Sequence, residues 1–340
     1  MSSHTVVYLD QNYLSNMAKA RLGFLKSKGE SDFWLSLFNE LKAAVLADRI
    51  ACPELDLQRD EAEFDTRIEY AVWQVICDLS LGLEFLPWGI VLELQIKDAA
   101  FKFLGKNPPQ RKSWSLAFKS DPQTTVEKRM SCDAFGIEHQ IHVHLFSPSE
   151  ELLNHDRRLK ERWVDEAKAS LRQPTFGDWN KRILVQKSAF VNSFLGYDAY
   201  NRITEQLASN DLLDKLVANR NIYKLKDRLA QLEKIGITPQ NAADFFVSDE
   251  LLSMPFIDIF CSINAVIVQD YKNRLPRGSD YRDTAIMATV LPYSDVVTTD
   301  KFIKYILVER LCFDKKYKCE IFSASKEDRL AFRELVQGLR

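Results

Sequence analysis

Two short apolar segments near opposite ends of the chain constrain the fold more than any other feature. Residues 5–9 (TVVYL) stop at Asp10, and residues 296–299 (VVTT) stop at Asp300. Each segment has the composition of a buried strand, and each is followed by residues with helical spacing. Since a strand that leads into a helix is the unit of parallel sheets, both ends of the chain are predicted to contribute to one α/β domain.

The pattern between these ends is different. Residues 31–48 have the spacing of an amphipathic helix with Ser31 or Asp32 as its N-cap, and residues 49–53 are a short apolar link into a second strand or the end of that strand. From about residue 95 to 250 the chain is charged and mostly helical, which indicates an insertion. We therefore predict an α/β domain with a parallel sheet and a large, mainly helical insertion. The predicted parts are 1–95, 96–250 and 251–340.

Composition excludes several classes of protein. Of the 340 residues, 46% are hydrophobic and 28% are charged, which is typical of a globular chain. The net charge of −2 argues against a general nucleic-acid coat, so nucleic-acid binding would need a local basic surface. The sequence has neither a long uncharged apolar segment nor a leader-like start, and none of its six cysteines forms a C-x-x-C pair. A cytoplasmic protein without a membrane partner is expected.

Four carboxylates from separate segments stand at predicted strand ends or helix starts. Asp10 and Asp300 directly follow strands, Asp283 is predicted to begin a helix, and Glu61 lies near the start of the helix after the second strand. Each could serve only as a helix cap or as compensation for a helix dipole. A cluster of all four would repel itself, and a hard cation with oxygen ligands, Mg²⁺ or Mn²⁺, would explain it.

The order of these residues resembles the PIN-like nuclease domains. The similarity rests on residues 10–12 (DQN), an acid near residue 61, residues 282–288 (RDTAIMA) and residues 296–302 (VVTTDKF). It implies a Rossmann-like parallel sheet and a metal-dependent endonuclease in which water attacks a phosphodiester, usually of RNA. The resemblance implies catalytic and metal-binding roles for the four acids, with Asp60 or Glu63 as alternatives to Glu61. Two further aspartates are secondary metal-ligand candidates: Asp280 and Asp295.

The resemblance also implies a nucleic-acid partner, with RNA favoured over DNA. Phosphate contacts are predicted for Lys272, Arg274 and Arg277, just before Asp283, and a second basic cluster spans residues 157–162. A toxin or defence role, a homo-oligomer and a protein partner all stay open. The alternative is a PIN-like binding protein with a degenerate acidic site, whose helical insertion recognises a partner.

A histidine cluster offers a different metal site. His139, His142 and His144 lie close together in the sequence, with His155 and Cys132 nearby. In a strand, His142 and His144 would face one side and His139 the other, which argues against a three-histidine site.

Overall fold

The structure of the chain is a computed structural model, and it divides into two compact units. Unit 1 comprises Met1–Pro87, Lys112–Glu166 and Arg277–Arg340, and unit 2 comprises Trp88–Arg111 and Ala167–Pro276. The residues that the structure describes are 4–58, 67–130, 161, 165, 179–194, 227–238, 240–269, 274 and 277–339.

Unit 1 is built on a four-stranded sheet in which every neighbouring pair is parallel. Its strands are β1 (Thr5–Tyr8), β2 (Ile50–Ala51), β3 (Val296–Thr299) and β4 (Glu320–Ser323), in the order β2-β1-β3-β4. This sheet, flanked by helices, confirms the predicted α/β class. Because all four strands run the same way, their last residues lie along one side of the sheet, which we call the carboxyl edge.

Helices connect the strands of unit 1 and form the described part of unit 2. In unit 1 they are α1 (Gln11–Arg21), α2 (Lys28–Leu46), α3 (Glu69–Ser80), α5 (Val126–Met130), α10 (Gly278–Val290), α11 (Lys301–Tyr305), α12 (Phe313–Tyr317) and α13 (Lys326–Gly338). In unit 2 they are α4 (Trp88–Phe103), α6 (Trp179–Phe194), α7 (Ala242–Phe246), α8 (Asp249–Leu252) and α9 (Pro255–Gln269). A π-helical turn, Ile306–Arg310, continues α11.

The core of unit 1 joins the strands to α1, α2, α3 and α13. Tyr13 is fully buried in it, and its ring meets Trp34 and Phe332 edge to face at centroid distances of 5.2 and 5.5 Å. The Tyr13 hydroxyl donates a hydrogen bond of 2.8 Å to the carbonyl of Ser323, the last residue of β4. Contacts of this kind attach the helix that follows β1 to the distant C-terminal part of the chain.

Capping decides where two of the helices begin. The helix predicted from residue 31 starts at Lys28, because the Ser27 hydroxyl accepts the Glu30 N–H at 3.1 Å. Likewise, α10 begins at Gly278 and not at Asp283. The expectation that Asp283 begins its helix is therefore wrong.

The division into units differs from the predicted domain boundaries at residues 95 and 250. Residues 112–166 return to unit 1, although the sequence places them within the insertion. Helix α9 belongs to unit 2, although the prediction assigns it to the second part of the α/β domain. Its packing explains this, because α9 is buried along most of its length and makes its most extensive helix contact with α6.

Within unit 2, α9 also carries an ion pair with little exposure to solvent. The Lys187 ammonium donates to the Asp258 carboxylate at 2.7 Å.

Among the described residues, no single helix has both the length and the apolar composition of a membrane span. Ala242–Leu252 and Pro255–Gln269 meet these criteria only when taken together across a bend of 79°.

A buried ion pair between α2 and α13 predicts a stability difference. Arg333 donates to both oxygens of Glu40, at distances from 2.7 to 3.2 Å, and the Glu40 side chain is 7% exposed. Glu40→Gln should lower the free energy of unfolding at pH 7 by about 2 kcal/mol, because it weakens charge-assisted hydrogen bonds. The hydrogen bond from Arg333 lowers the pKa of Glu40, so its stabilisation is present above the unfolded pKa and is lost as the pH falls.

The matched control is Glu30→Gln on the same helix. Glu30 pairs with Arg329 of α13 at 3.2 Å, but its side chain is 50% exposed. Its loss should change the free energy by less than about 0.5 kcal/mol in urea unfolding. Equal effects of the two substitutions would contradict the assignment of Glu40 as the buried partner.

Candidate functional site

Asp10 and Asp300 lie at the carboxyl edge, each at the start of the helix that follows its strand. Asp10 caps α1, and its Oδ2 accepts the backbone N–H of Asn12 at 3.3 Å and the Asn12 side-chain amide at 2.8 Å. Asp300 caps α11, and its Oδ1 accepts the N–H of Ile303 at 2.7 Å. The other oxygen of each carboxylate takes no part in these bonds.

Neighbouring strands hold the backbone around Asp10 in place. The Asp10 N–H donates to the hydroxyl of Thr298 in β3 at 2.7 Å, and Thr298 is fully buried. The buried Gln58 side chain, beyond β2, donates to the carbonyl of Leu9. Asp10 is thus fixed from both sides, in the middle of the carboxyl edge.

The carboxyl group of Asp10 has an unusual electrostatic environment. It is 8% exposed, and burial together with the negative charge of Asp300 raises its pKa from 3.8 to about 6. The hydrogen bonds from Asn12 oppose this rise. The structure therefore places Asp10 and Asp300 close enough for their charges to interact, which is what the sequence predicts for this pair.

A third acid, Asp328, lies at the carboxyl edge in a different role. Its Oδ2 accepts hydrogen bonds from the N–H and hydroxyl of Ser323, and its Oδ1 accepts one from Lys304 at 2.6 Å. Although burial opposes the effect, the hydrogen bond from Lys304 lowers the pKa of Asp328. Burial, together with the charges of Asp328 and Asp10, raises the pKa of Tyr13. Asp328 therefore connects β4, α11 and α13.

Three further predicted acids lie in the described part of the chain. Asp283 is half-buried within α10, and Asp280 is almost fully buried one turn earlier, where its Oδ2 accepts the N–H of Arg277 at 2.7 Å. Asp295 precedes β3, and its Oδ2 accepts the N–H of Val6 at 2.7 Å. Because β3 separates it from Asp300, Asp295 lies at the opposite edge of the sheet, about 16 Å away at the rise of a strand. Asp280 thus caps a helix, and Asp295 joins strands.

Several other predicted residues fall outside the described part of the chain. They are Asp60, Glu61 and Glu63, Lys272, and the cluster of Cys132, His139, His142, His144 and His155. Of the other two basic candidates, Arg274 belongs to unit 2, and Arg277 belongs to unit 1, where it is exposed.

The oxygen atoms that Asp10 and Asp300 present at the carboxyl edge are suitable ligands for a hard cation. Asp10 and Asp300 supply carboxylate oxygens, the ligands preferred by Mg²⁺ and Mn²⁺, and a cation would offset both the burial and the repulsion that raise the pKa of Asp10. Next to Asp10, the buried Gln11 Oε1 accepts no hydrogen bond from the described residues. No group of three or more His, Cys, Asp or Glu side chains within the described ranges forms a metal-binding cluster.

Comparisons of the chain with protein-family models, with curated proteins and with solved structures find no match. The class is therefore defined by the fold itself: an α/β protein with a four-stranded, all-parallel sheet and two aspartates at its carboxyl edge.

Sequence reasoning missed three polar residues of this edge: Lys304, Ser323 and Asp328. One local signal was present, because Ser325 and Asp328 have the spacing of a capping box, and the Ser325 hydroxyl accepts the Asp328 N–H at 3.2 Å. The signal predicts a helix start, but it does not indicate that the helix begins beside Asp300.

The raised pKa of Asp10 predicts how stability depends on pH without divalent cations. Between pH 3.8 and about 6, Asp10 is protonated in the folded state and ionised in the unfolded state. The contribution of Asp10 to the free energy of unfolding therefore falls as the pH rises through that range. The full shift corresponds to about 3 kcal/mol. Asp10→Asn should recover about 1–2 kcal/mol at pH 7, because the amide keeps an acceptor for Asn12 and carries no charge.

The measurement is urea unfolding at several pH values in EDTA, with the exposed Asp244→Asn as the control. The control should follow the wild-type pH profile, whereas Asp10→Asn should flatten it between pH 4 and about 6. Parallel profiles for the wild type and Asp10→Asn would contradict the assigned environment of Asp10.

Proposed function

We propose that the carboxyl edge of unit 1 is a divalent-cation site that hydrolyses phosphodiester bonds, with RNA as the substrate. The observation that carries the proposal is the pair of Asp10 and Asp300. Asp10 is buried, is fixed by Thr298 and Asn12, and is exposed to the negative charge of Asp300. An arrangement that costs stability at neutral pH is typical of a functional site.

In this proposal Asp10 and Asp300 hold Mg²⁺ or Mn²⁺, and the resemblance to PIN-like nucleases adds Asp283 and Glu61 to the ligands. When bound, the cation lowers the pKa of an attacking water and offsets the charge that develops on the phosphate. Asn12 holds the Asp10 carboxylate and Thr298 holds the Asp10 backbone, so this side chain has a fixed position at the carboxyl edge. Asp328 has both oxygens in hydrogen bonds to Lys304 and Ser323, so it holds the cationic side chain of the helix that Asp300 caps.

Metal binding is the first test. Mn²⁺ should raise the free energy of unfolding of the wild type at pH 7 by about 2–3 kcal/mol at a hundredfold excess over its dissociation constant. Asp10→Asn and Asp300→Asn should remove most of this gain, and Asp244→Asn should retain it. Thermal unfolding with and without Mn²⁺ measures both effects.

Cleavage is the second test. The wild type with Mn²⁺ should cut labelled single-stranded RNA, and Asp10→Asn and Asp300→Asn should each slow cutting at least about a hundredfold, since each removes a proposed cation ligand. Both variants should stay folded, because asparagine is also a good N-cap. A wild type that is neither stabilised by Mn²⁺ nor able to cut RNA would favour the alternative, a related scaffold that binds a partner without cleaving it.

A further inference from the structure

Basic residues are concentrated on the segment that connects β3 to β4, directly after Asp300. We call residues 301–318 the basic segment; it has six cationic side chains and two acidic ones, in a chain whose net charge is −2. The cationic residues are Lys301, Lys304, Arg310, Lys315, Lys316 and Lys318. The segment therefore provides the local positive surface that the overall composition lacks.

Most of these cations face solvent, and two of them lie beside aromatic rings. Lys301, Lys315, Lys316 and Lys318 are exposed. The Lys316 ammonium lies 5.4 Å from the ring centre of Phe313 and 5.6 Å from that of Tyr317. Arg310 covers the ring of Tyr305 at 5.9 Å in the same way. Cations alternating with half-buried tyrosines suit a ligand with both phosphates and bases.

The residues at both ends of α12 have a left-handed backbone conformation that residues other than glycine rarely adopt. Cys312 has φ 52° and Lys318 has φ 55°. Such residues persist only where the surrounding structure holds them, and they often occur at functional sites. Here Lys318 closes α12 through its N–H bond to the Asp314 carbonyl. The direction of α12, and with it the position of Lys315, is therefore fixed.

A solvent-open cavity of about 370 Å³ is lined by residues of the basic segment and of β4. Lys304 and Lys318 line it, together with two acids, Asp314 and Glu320, and apolar side chains that include Phe322. Lys304 reaches the carboxyl end of β4 through Asp328 and Ser323, whereas Lys318 precedes the first residue of β4. The cavity thus follows the strand, and both of its lysines belong to the basic segment.

The basic segment begins at the proposed cation site. Asp300 is the N-cap of α11, and Lys304 lies four residues further on, about 6 Å along the helix axis. Its ammonium is held at 2.6 Å by Asp328. A chain of phosphates that passes Asp300 therefore meets Lys304 within one helical turn.

We propose that the basic segment binds the phosphate backbone of single-stranded RNA and leads it to the carboxyl edge. This inference rests on the proposed function, because it assigns a substrate surface to that site. It also names a different surface from Lys272, Arg274 and Arg277, the residues predicted from the sequence.

The test measures binding without cleavage. Fluorescence anisotropy of a labelled single-stranded RNA is recorded in EDTA over a range of salt concentrations, with the full chain. The test variant is Lys315→Gln/Lys318→Gln. The control is Lys26→Gln/Lys28→Gln, which removes two exposed lysines from the connection between α1 and α2 and the first turn of α2. Thermal unfolding establishes that both variants are folded.

For single strands, each lost phosphate contact reduces the slope of log affinity against log salt by about 0.7. The test variant should therefore reduce the slope by about 1.4 and weaken binding at low salt at least about tenfold, and the control should match the wild type. Equal slopes for all three proteins, equal losses in both variants, or a wild type that does not bind RNA would overturn the proposal. Competition by polyglutamate as effective as competition by unlabelled RNA would also overturn it.

Cleavage with Mn²⁺, measured in parallel, separates the two proposals. A wild type that binds RNA through the basic segment but does not cut it would refute the proposed nuclease activity and would support the proposed RNA-binding surface. A wild type that cuts RNA while the test variant keeps the full salt slope would refute only the surface. Asp244→Asn, an exposed change in unit 2, should bind RNA with the wild-type slope.

Discussion

The parallel pairing of β1 with β3 is the interaction on which the rest of unit 1 depends. It aligns Val7 with Val296 and Tyr8 with Val297, residues separated by most of the chain. The Asp295 carboxylate fixes this register by accepting the N–H of Val6 at the opposite edge of the sheet. The register determines which residues lie side by side where the strands end. The same pairing therefore brings the Asp10 backbone into hydrogen-bond contact with Thr298, and it brings the charge of Asp10 close to that of Asp300.

Asp10 has a structural role and an electrostatic cost at the same time. As an N-cap it satisfies the amide groups of Asn12, which favours α1. As a buried charge beside Asp300 it has a raised pKa, so at neutral pH its ionised form opposes folding. A bound cation would remove this conflict, and Lys301, the exposed lysine directly after Asp300, would add attraction for a polyanion there.

Local periodicity predicted much of the sheet framework. Both strands that end at aspartates occur as expected, and α2 lies within a few residues of the helix predicted over residues 31–48. Two parts could not be predicted in this way. Helix α10 starts before Asp283 because Asp280 caps it. No local pattern signals β4, a short strand held by its pairing with β3 and by the contacts of Ser323 with Tyr13 and Asp328. Strands of this length depend on their neighbours for stability.

The sequence by itself determined that Asp10 and Asp300 each follow a strand and begin a helix, because capping and strand periodicity act over a few neighbouring residues. Only the tertiary structure decided which acids share an edge. Asp295 is closer to Asp300 in sequence than Asp10 is, yet the sheet separates them, whereas Asp328 comes to the same edge from the C-terminal helix. The physical reason is the geometry of the parallel sheet. The position of a residue along its strand determines the edge of the sheet at which it lies, whatever its distance along the chain.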